Sequence, residues 1–297
     1  MTGRNSTSIP PIDLISYLFN DEQQCIQFLL DRGILYNERI CTNCTETMTL
    51  NIKRGQFRCP KKSCRAGVSV RKNSFFDFSK LSCSNILRLG WFWLNKVPVT
   101  SICSMTGHSK TTVTAFMRFY RQLVENLLDP EHCMVGGEDV IVEIDEAKFG
   151  KRKYNRGHRV EGAWILGGIE RTPEKKVFLA HVQDRTAETL LNVINDHVLP
   201  GSIVYTDMWK SYDGIEELLE MRHQTVNHSK HFKNPITGVH TNTIEGLWNG
   251  IKIGIKPRNR NKNEIEGHLM EFVWRKMNKN NLWEALLNAL AETHYDI

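Results

Sequence analysis

Apolar side chains recur at helical spacing across residues 11–35. Leu14, Ile15, Leu18 and Phe19 are followed by Ile26, Leu29 and Leu30, and Gly33 closes the run. The pattern predicts a lead-in helical segment with no evident chemistry. A Leu-, Ile- and Trp-rich stretch predicts a helix from about Ser79 to Asn95. A shorter helix then starts at Val97-Pro98-Val99-Thr100 and runs through Met105, and Gly107 turns the chain. Ser109 is the expected cap of a further helix carrying Val113, Phe116, Met117 and Tyr120. A short helix, a Gly-containing turn and a Ser/Thr-rich second helix is the pattern of a helix-turn-helix DNA reader, although any helical hairpin resembles it.

From Gly136 the texture turns from helical to alternating. Val140–Ile144, Gly162–Ile169 and Lys176–Val182 read as strands, and Arg171-Thr-Pro-Glu-Lys175 as a hairpin turn. A helix over Thr186–Val198 is broken by Pro200-Gly201. Short strands follow at Ile203–Tyr205 and His223–Val226, and then a helix from Asn242 to about Ile253. Three strands in a meander, then helix, strand, helix, strand and helix, is the order of an RNase H-like α/β domain.

At 297 residues the chain suits two or three compact units, and its 40% hydrophobic and 24% charged content is that of a folded protein. Residues 1–20 lack a basic start followed by an apolar run. No stretch approaches the roughly 18 apolar residues of a membrane span. The net charge of +6 is modest but unevenly spread: residues 51–80 hold nine Lys or Arg against one acid, and residues 148–159 hold six against none. A third cluster, Lys256-Pro-Arg-Asn-Arg-Asn-Lys262, contains no acid. Separate basic patches fit a long polyanion contacted at several points, where each neutralised phosphate releases counterions.

Four of the eight cysteines form one pattern, Cys41-x2-Cys44, fourteen residues, then Cys59-x4-Cys64. Without a secretory signal this spacing predicts tetrahedral zinc, Zn2+, held by four thiolates. The second spacing is looser than the usual two residues. Cys25, Cys83, Cys103 and Cys133 stand singly among apolar neighbours and read as small core residues.

Phosphodiester cleavage without a covalent intermediate commonly uses two divalent ions roughly 3.5–4 Å apart. Ions such as Mg2+ or Mn2+ call for carboxylates converging from separate elements. Asp145 is expected at the end of the first strand, Asp207 at the end of Ile203–Tyr205, and Glu245 on the late helix facing them. Glu143 and Glu146 flank Asp145, and strand alternation is taken to turn both to the opposite face. Lys252, seven residues after Glu245, shares its helix face and is positioned for a phosphate or a surface acid.

Five segments follow one another in order. They are Val142-Glu-Ile-Asp-Glu-Ala-Lys-Phe-Gly-Lys-Arg-Lys-Tyr-Asn-Arg-Gly-His-Arg159, Asp184-Arg-Thr-Ala-Glu-Thr-Leu190, Tyr205-Thr-Asp-Met-Trp-Lys-Ser-Tyr212, Val226-Asn-His-Ser229 and His240-Thr-Asn-Thr-Ile-Glu-Gly-Leu-Trp248. Together they resemble the catalytic domain of Merlin-type transposases and their bacterial insertion-sequence relatives. The resemblance spans about residues 136–280. It implies an RNase H-like fold with a DDE triad at Asp145, Asp207 and Glu245, and cut-and-paste transposition by cleavage and 3′-hydroxyl strand transfer at terminal inverted repeats. It also implies double-stranded DNA as partner, a homodimer or higher assembly, and action in the nucleus, or in the cytoplasm if the source is bacterial. The expected organisation is an N-terminal helical segment (1–38), a zinc ribbon (39–76), a helix-turn-helix region (77–133) and a catalytic domain with C-terminal helices (136–297). Ser109, Lys110, Thr111 and Thr112 are the expected base-reading positions, and Lys151, Arg152, Arg156 and Lys252 the expected phosphate contacts. Two other readings remain at this point: a host-adopted DNA-binding protein that does not cut, and an RNase H-like nuclease or resolvase.

Overall fold

The computed structural model describes residues 8–77, 79–128, 133–150, 162–227 and 238–293. It forms two compact units, Met1–Leu127 with Asn278–Ile297, and Leu128–Met277.

In the first unit the lead-in segment is two helices, α1 (Ile12–Asn20) and α2 (Glu22–Asp31). Asp21 separates them. Its carboxylate accepts from the N–H groups of Gln23 and Gln24, which caps α2 and stops α1. Strands β1 (Thr49–Asn51), β2 (Gln56–Arg58) and β3 (Gly67–Ser69) make an antiparallel sheet. Three helices follow: α3 (Cys83–Leu94), α4 (Val99–Thr106) and α5 (Lys110–Asn126). Gly107 ends α4 at a φ of 72°, in the left-handed region that glycine tolerates. Ser109 caps α5 by accepting from the Thr112 N–H at 3.1 Å. The fully buried Tyr120 of α5 ties the helices together by donating to the Ile86 carbonyl at 2.6 Å.

The second unit contains β4 (Val135–Gly136), β5 (Ile141–Phe149), β6 (Ala163–Glu170), β7 (Val177–Val182), α6 (Ala187–His197), β8 (Val198–Leu199) and β9 (Ile203–Asp207). It continues with α7 (Ile215–Leu219), β10 (Arg222–Val226), α8 (Asn242–Gly254) and α9 (Ile265–Met277). The main sheet has the order β10-β9-β5-β6-β7. Strands β5, β6 and β7 pair antiparallel, whereas β9 runs parallel to β5, and β10 parallel to β9. The short β4 and β8 pair separately.

Each face of the main sheet buries its own core. Ala147, Phe149, Ile165 and Ile169 pack with Trp248 and Ile251 of α8 and Leu269 of α9, and Val142, Ile144 and Leu166 pack with Leu190 and Ile194 of α6 and Ile215 of α7. Odd-numbered residues of β5 therefore face α8, and even-numbered ones face α6.

Two expectations are corrected. The first strand does not stop near Ile144. Pairing with β6 carries it to Phe149, opposite Ala163, so Asp145 lies mid-strand, where the apolar pattern breaks but the ladder does not. The last helix, α10 (Leu282–Glu292), does not complete the second unit but packs with α3 and α5 of the first. Leu286 of α10 is fully buried there, within 3.2 Å of where a Cβ at Gly90 of α3 would stand.

Candidate functional site

In the second unit, β5 and β9 run side by side in the register Ile141↔Ile203, Val142↔Val204 and Glu143↔Tyr205. Carried on by two residues, this register sets Asp145 beside Asp207. Their charges interact. Burial is the largest cause raising the Asp145 carboxyl to about 7. The charges of Glu146 and Asp207 add to it, and a hydrogen bond from Trp248 opposes it.

That bond runs from Trp248 Nε1 to Asp145 Oδ2 at 2.9 Å. Trp248 stands one turn after Glu245 on α8, on the same side of the helix. The indole thus ties the helix of Glu245 to the strand of Asp145. Glu245 itself is exposed in the first turn of α8. Gly167, which pairs with Asp145 across β6, gives the indole room, since a Cβ there would lie 2.6 Å from Trp248 Cη2.

The flanking acids need a correction. Glu143 is two residues from Asp145 and shares its face, as a period of two requires. It is fully buried and accepts from the N–H of Thr243 at 2.8 Å, the Thr243 hydroxyl at 2.7 Å and the N–H of Ile244 at 3.0 Å. Arg171 neutralises it at 2.6 Å and also donates to the His240 carbonyl. A carboxylate on these free N–H groups fixes where α8 begins, and so where Glu245 stands. Glu146 does face the other way, accepting from Arg185 at 3.0 Å and from the Tyr212 hydroxyl at 2.7 Å. Period two could have separated these roles. Trp248, Arg171 and Arg185 carried no such signal, because their partners lie far away in sequence.

In the first unit, Cys41, Cys44, Cys59 and Cys64 bring their sulfurs within 4.8 Å of one another. The Cys41 and Cys64 sulfurs are 3.5 Å apart, and those of Cys44 and Cys59 are 3.4 Å apart. The Asn43 N–H is the largest influence holding the Cys41 thiol down to about 7, whereas desolvation pushes Cys59 up to about 12. Four converging sulfurs on a small antiparallel sheet are compatible with a zinc ribbon, and the soft donor set suits zinc. Asp145, Asp207 and Glu245 come from β5, β9 and α8 of the second unit. Their oxygen donors suit a hard divalent ion, and like charges stand apart without one.

The residues predicted to touch DNA divide three ways. The hydroxyls of Ser109 and Thr112 lie 2.9 Å apart in the cap of α5, whereas Lys110 and Thr111 are exposed beside them. Lys252 is exposed, with its ammonium 5.9 Å from the centre of the Phe149 ring. Lys151, Arg152 and Arg156 lie outside the described residues. Within the basic clusters some charges are structural. Arg71 donates to the carbonyls of Leu81 and Ser79, and Arg260 to those of Ile255 and Lys252.

The ISXO2-like transposase domain matches residues 134–277. An uncharacterized transposase-like protein of Haemophilus influenzae is 37% identical over 101 residues, covering 34% of this chain and 80% of that protein. The chain belongs to the ISXO2-like transposase family. Male abnormal protein mab-31 of Caenorhabditis elegans is 23% identical over 250 residues, 73% of this chain and 56% of that relative, so the chain spans little more than half of its length. The family match nearly coincides with the second unit and contains Asp145, Asp207 and Glu245. Membership implies DNA binding and, in general terms, a DNA-cleaving enzyme. Among the described residues no helix is long and apolar enough to cross a membrane.

Proposed function

We propose that this chain is a cut-and-paste DNA transposase whose RNase H-like catalytic domain acts through Asp145, Asp207 and Glu245. The observation that carries the reading is the pairing of β5 with β9, which sets Asp145 beside Asp207, together with the Trp248 bond that tethers the helix of Glu245 to Asp145. The reaction is hydrolysis of a phosphodiester at each transposon end, followed by attack of the freed 3′-hydroxyl on target DNA. Asp145, Asp207 and Glu245 would hold two Mg2+ or Mn2+ ions, which when bound supply activation of the attacking oxygen and support for the leaving oxygen. Asp145 must be deprotonated to act as a ligand, and its raised pKa is the expected state of a carboxyl waiting for that counter-charge. Trp248 holds Oδ2 in one orientation, and Glu143 with Arg171 sets the start of α8. Lys110 and Thr111 of α5 read the terminal repeats, a zinc ion fixes the ribbon, and the two ends are cut within a dimer or larger assembly.

Asp145→Asn, Asp207→Asn and Glu245→Gln test the triad, because each removes a ligand charge and little volume. Each is expected to abolish cleavage and strand transfer on DNA taken from the inverted repeats flanking the gene, while binding to that DNA persists. A variant that cuts at near the wild-type rate removes its residue from the triad.

A further inference from the structure

Trp209, two residues after Asp207, is an aromatic surface that the cleavage reading does not use. It is 43% exposed and its neighbour Met208 is 61% exposed, although both follow a buried strand directly. What sets Trp209 apart from other exposed apolar residues is its position, bonded through its backbone to the carboxylate of Asp207. The ring is also held in place. The Trp209 N–H donates to Asp207 Oδ1 at 2.9 Å, which fixes the backbone relative to that carboxylate. The Arg185 guanidinium packs on the ring, 4.9 Å from its centre, and on Trp164, 3.9 Å from its centre. Glu146 engages the same guanidinium, and the Ser211 hydroxyl donates to the Arg185 carbonyl at 2.9 Å. Arg185 is thus neutralised and bonded on several sides. It acts as a rigid support beneath Trp209 and not as a free phosphate ligand.

We infer that Trp209 is a stacking platform for a DNA base that has left the duplex beside the bond to be cut. The inference rests on the proposed cleavage site and adds a substrate feature to it: DNA with unpaired nucleotides next to the reacting phosphate. Phosphate and sugar have no flat apolar face to cover an indole, whereas every base has one, so stacking of this kind is sequence-tolerant.

The full-length chain is tested with a fluorescent duplex of arbitrary sequence, either blunt or carrying a four-thymine single-stranded tail. Wild-type protein is expected to prefer the tailed duplex about tenfold, as one stacked base would give. Trp209→Ala should reduce the ratio to near one, and Trp209→Phe should keep most of it. Leu218→Ala, at another exposed apolar residue of the same unit, should leave the ratio unchanged. A tail carrying 5-iodouracil should photo-crosslink to the peptide containing Trp209. A ratio that survives Trp209→Ala, or a crosslink confined to other peptides, overturns the platform. Duplex binding without any tail preference overturns the platform alone and leaves the transposase reading intact. Failure to bind either duplex sinks both.

Discussion

The four cysteines and the three acids are both candidate metal sites, yet the chain assembles them in opposite ways. The sulfurs lie within 4.8 Å of one another, drawn from two short knuckles within 24 residues of sequence. The acids come from β5, β9 and α8, spread over 101 residues. The difference is chemical. Thiols can be neutral and crowd together before a metal arrives, whereas carboxylates at neutral pH repel and lose hydration when crowded. An ion in the cysteine site would couple to local folding, whereas Asp145 is held by Trp248 and Glu143 by Arg171 with protein groups alone.

The largest effect expected from that contrast is at the ribbon. Cys59→Ser should release one zinc per chain and unfold about residues 39–75, because structural zinc contributes on the order of 10 kcal/mol to such a segment. Metal analysis and limited proteolysis of the variant would read both changes. Chelation should do the same to the ribbon while leaving the second unit folded. If that unit melted as well, its scaffold would not be self-sufficient.

Next in size is the scaffold itself. Arg171→Met leaves Glu143 buried without its ion pair, which should destabilise the second unit by about 3–5 kcal/mol in denaturant unfolding. An effect under 1 kcal/mol would mean that the α8 N–H groups suffice. Gly167→Ala should cost less, about 1–3 kcal/mol, since the new methyl meets the Trp248 ring. It should also shift the indole emission as the bond to Asp145 breaks, and an unchanged spectrum would remove Trp248 from the tether.

The smallest effect has the opposite sign. Asp145 has its carboxyl raised from an ordinary 3.8 to about 7 in the fold. Its contribution to stability is therefore full below about pH 4 and is lost as pH rises through 7. Asp145→Asn keeps an acceptor for Trp248 and removes the penalty. In protein free of added magnesium and manganese, it should raise the melting temperature of the second unit at pH 8 and leave it unchanged at pH 3.5. Equal shifts at both pH values would show that the charge is not the cause.

How far the sequence could be read follows the same division. The cysteine cluster was legible because its members are local and the spacing carries the geometry. Ser109 as the cap of α5 and Gly107 as its turn were legible for the same reason. Asp145 was singled out as a candidate by its motif, but its position mid-strand was not legible, since the ladder to β6 is invisible in an apolar pattern that breaks at Asp145-Glu146. Glu143 was assigned to the wrong face although period two was available, because its partners at Thr243 and Ile244 are 100 and 101 residues away. The split at Asp21 was a readable cap, an acid within the polar run Asn20-Asp-Glu-Gln-Gln24 that interrupts the apolar spacing.

The packing of α10 with α3 and α5 also has a consequence in time. The ribosome makes α3 and α5 early, then all of Leu128–Met277, and only then the helix that brings Leu286 against Gly90. At roughly 5–20 residues per second, the first unit waits on the order of ten seconds or more for its last piece. A messenger cut short anywhere in that interval yields a chain whose first unit lacks α10.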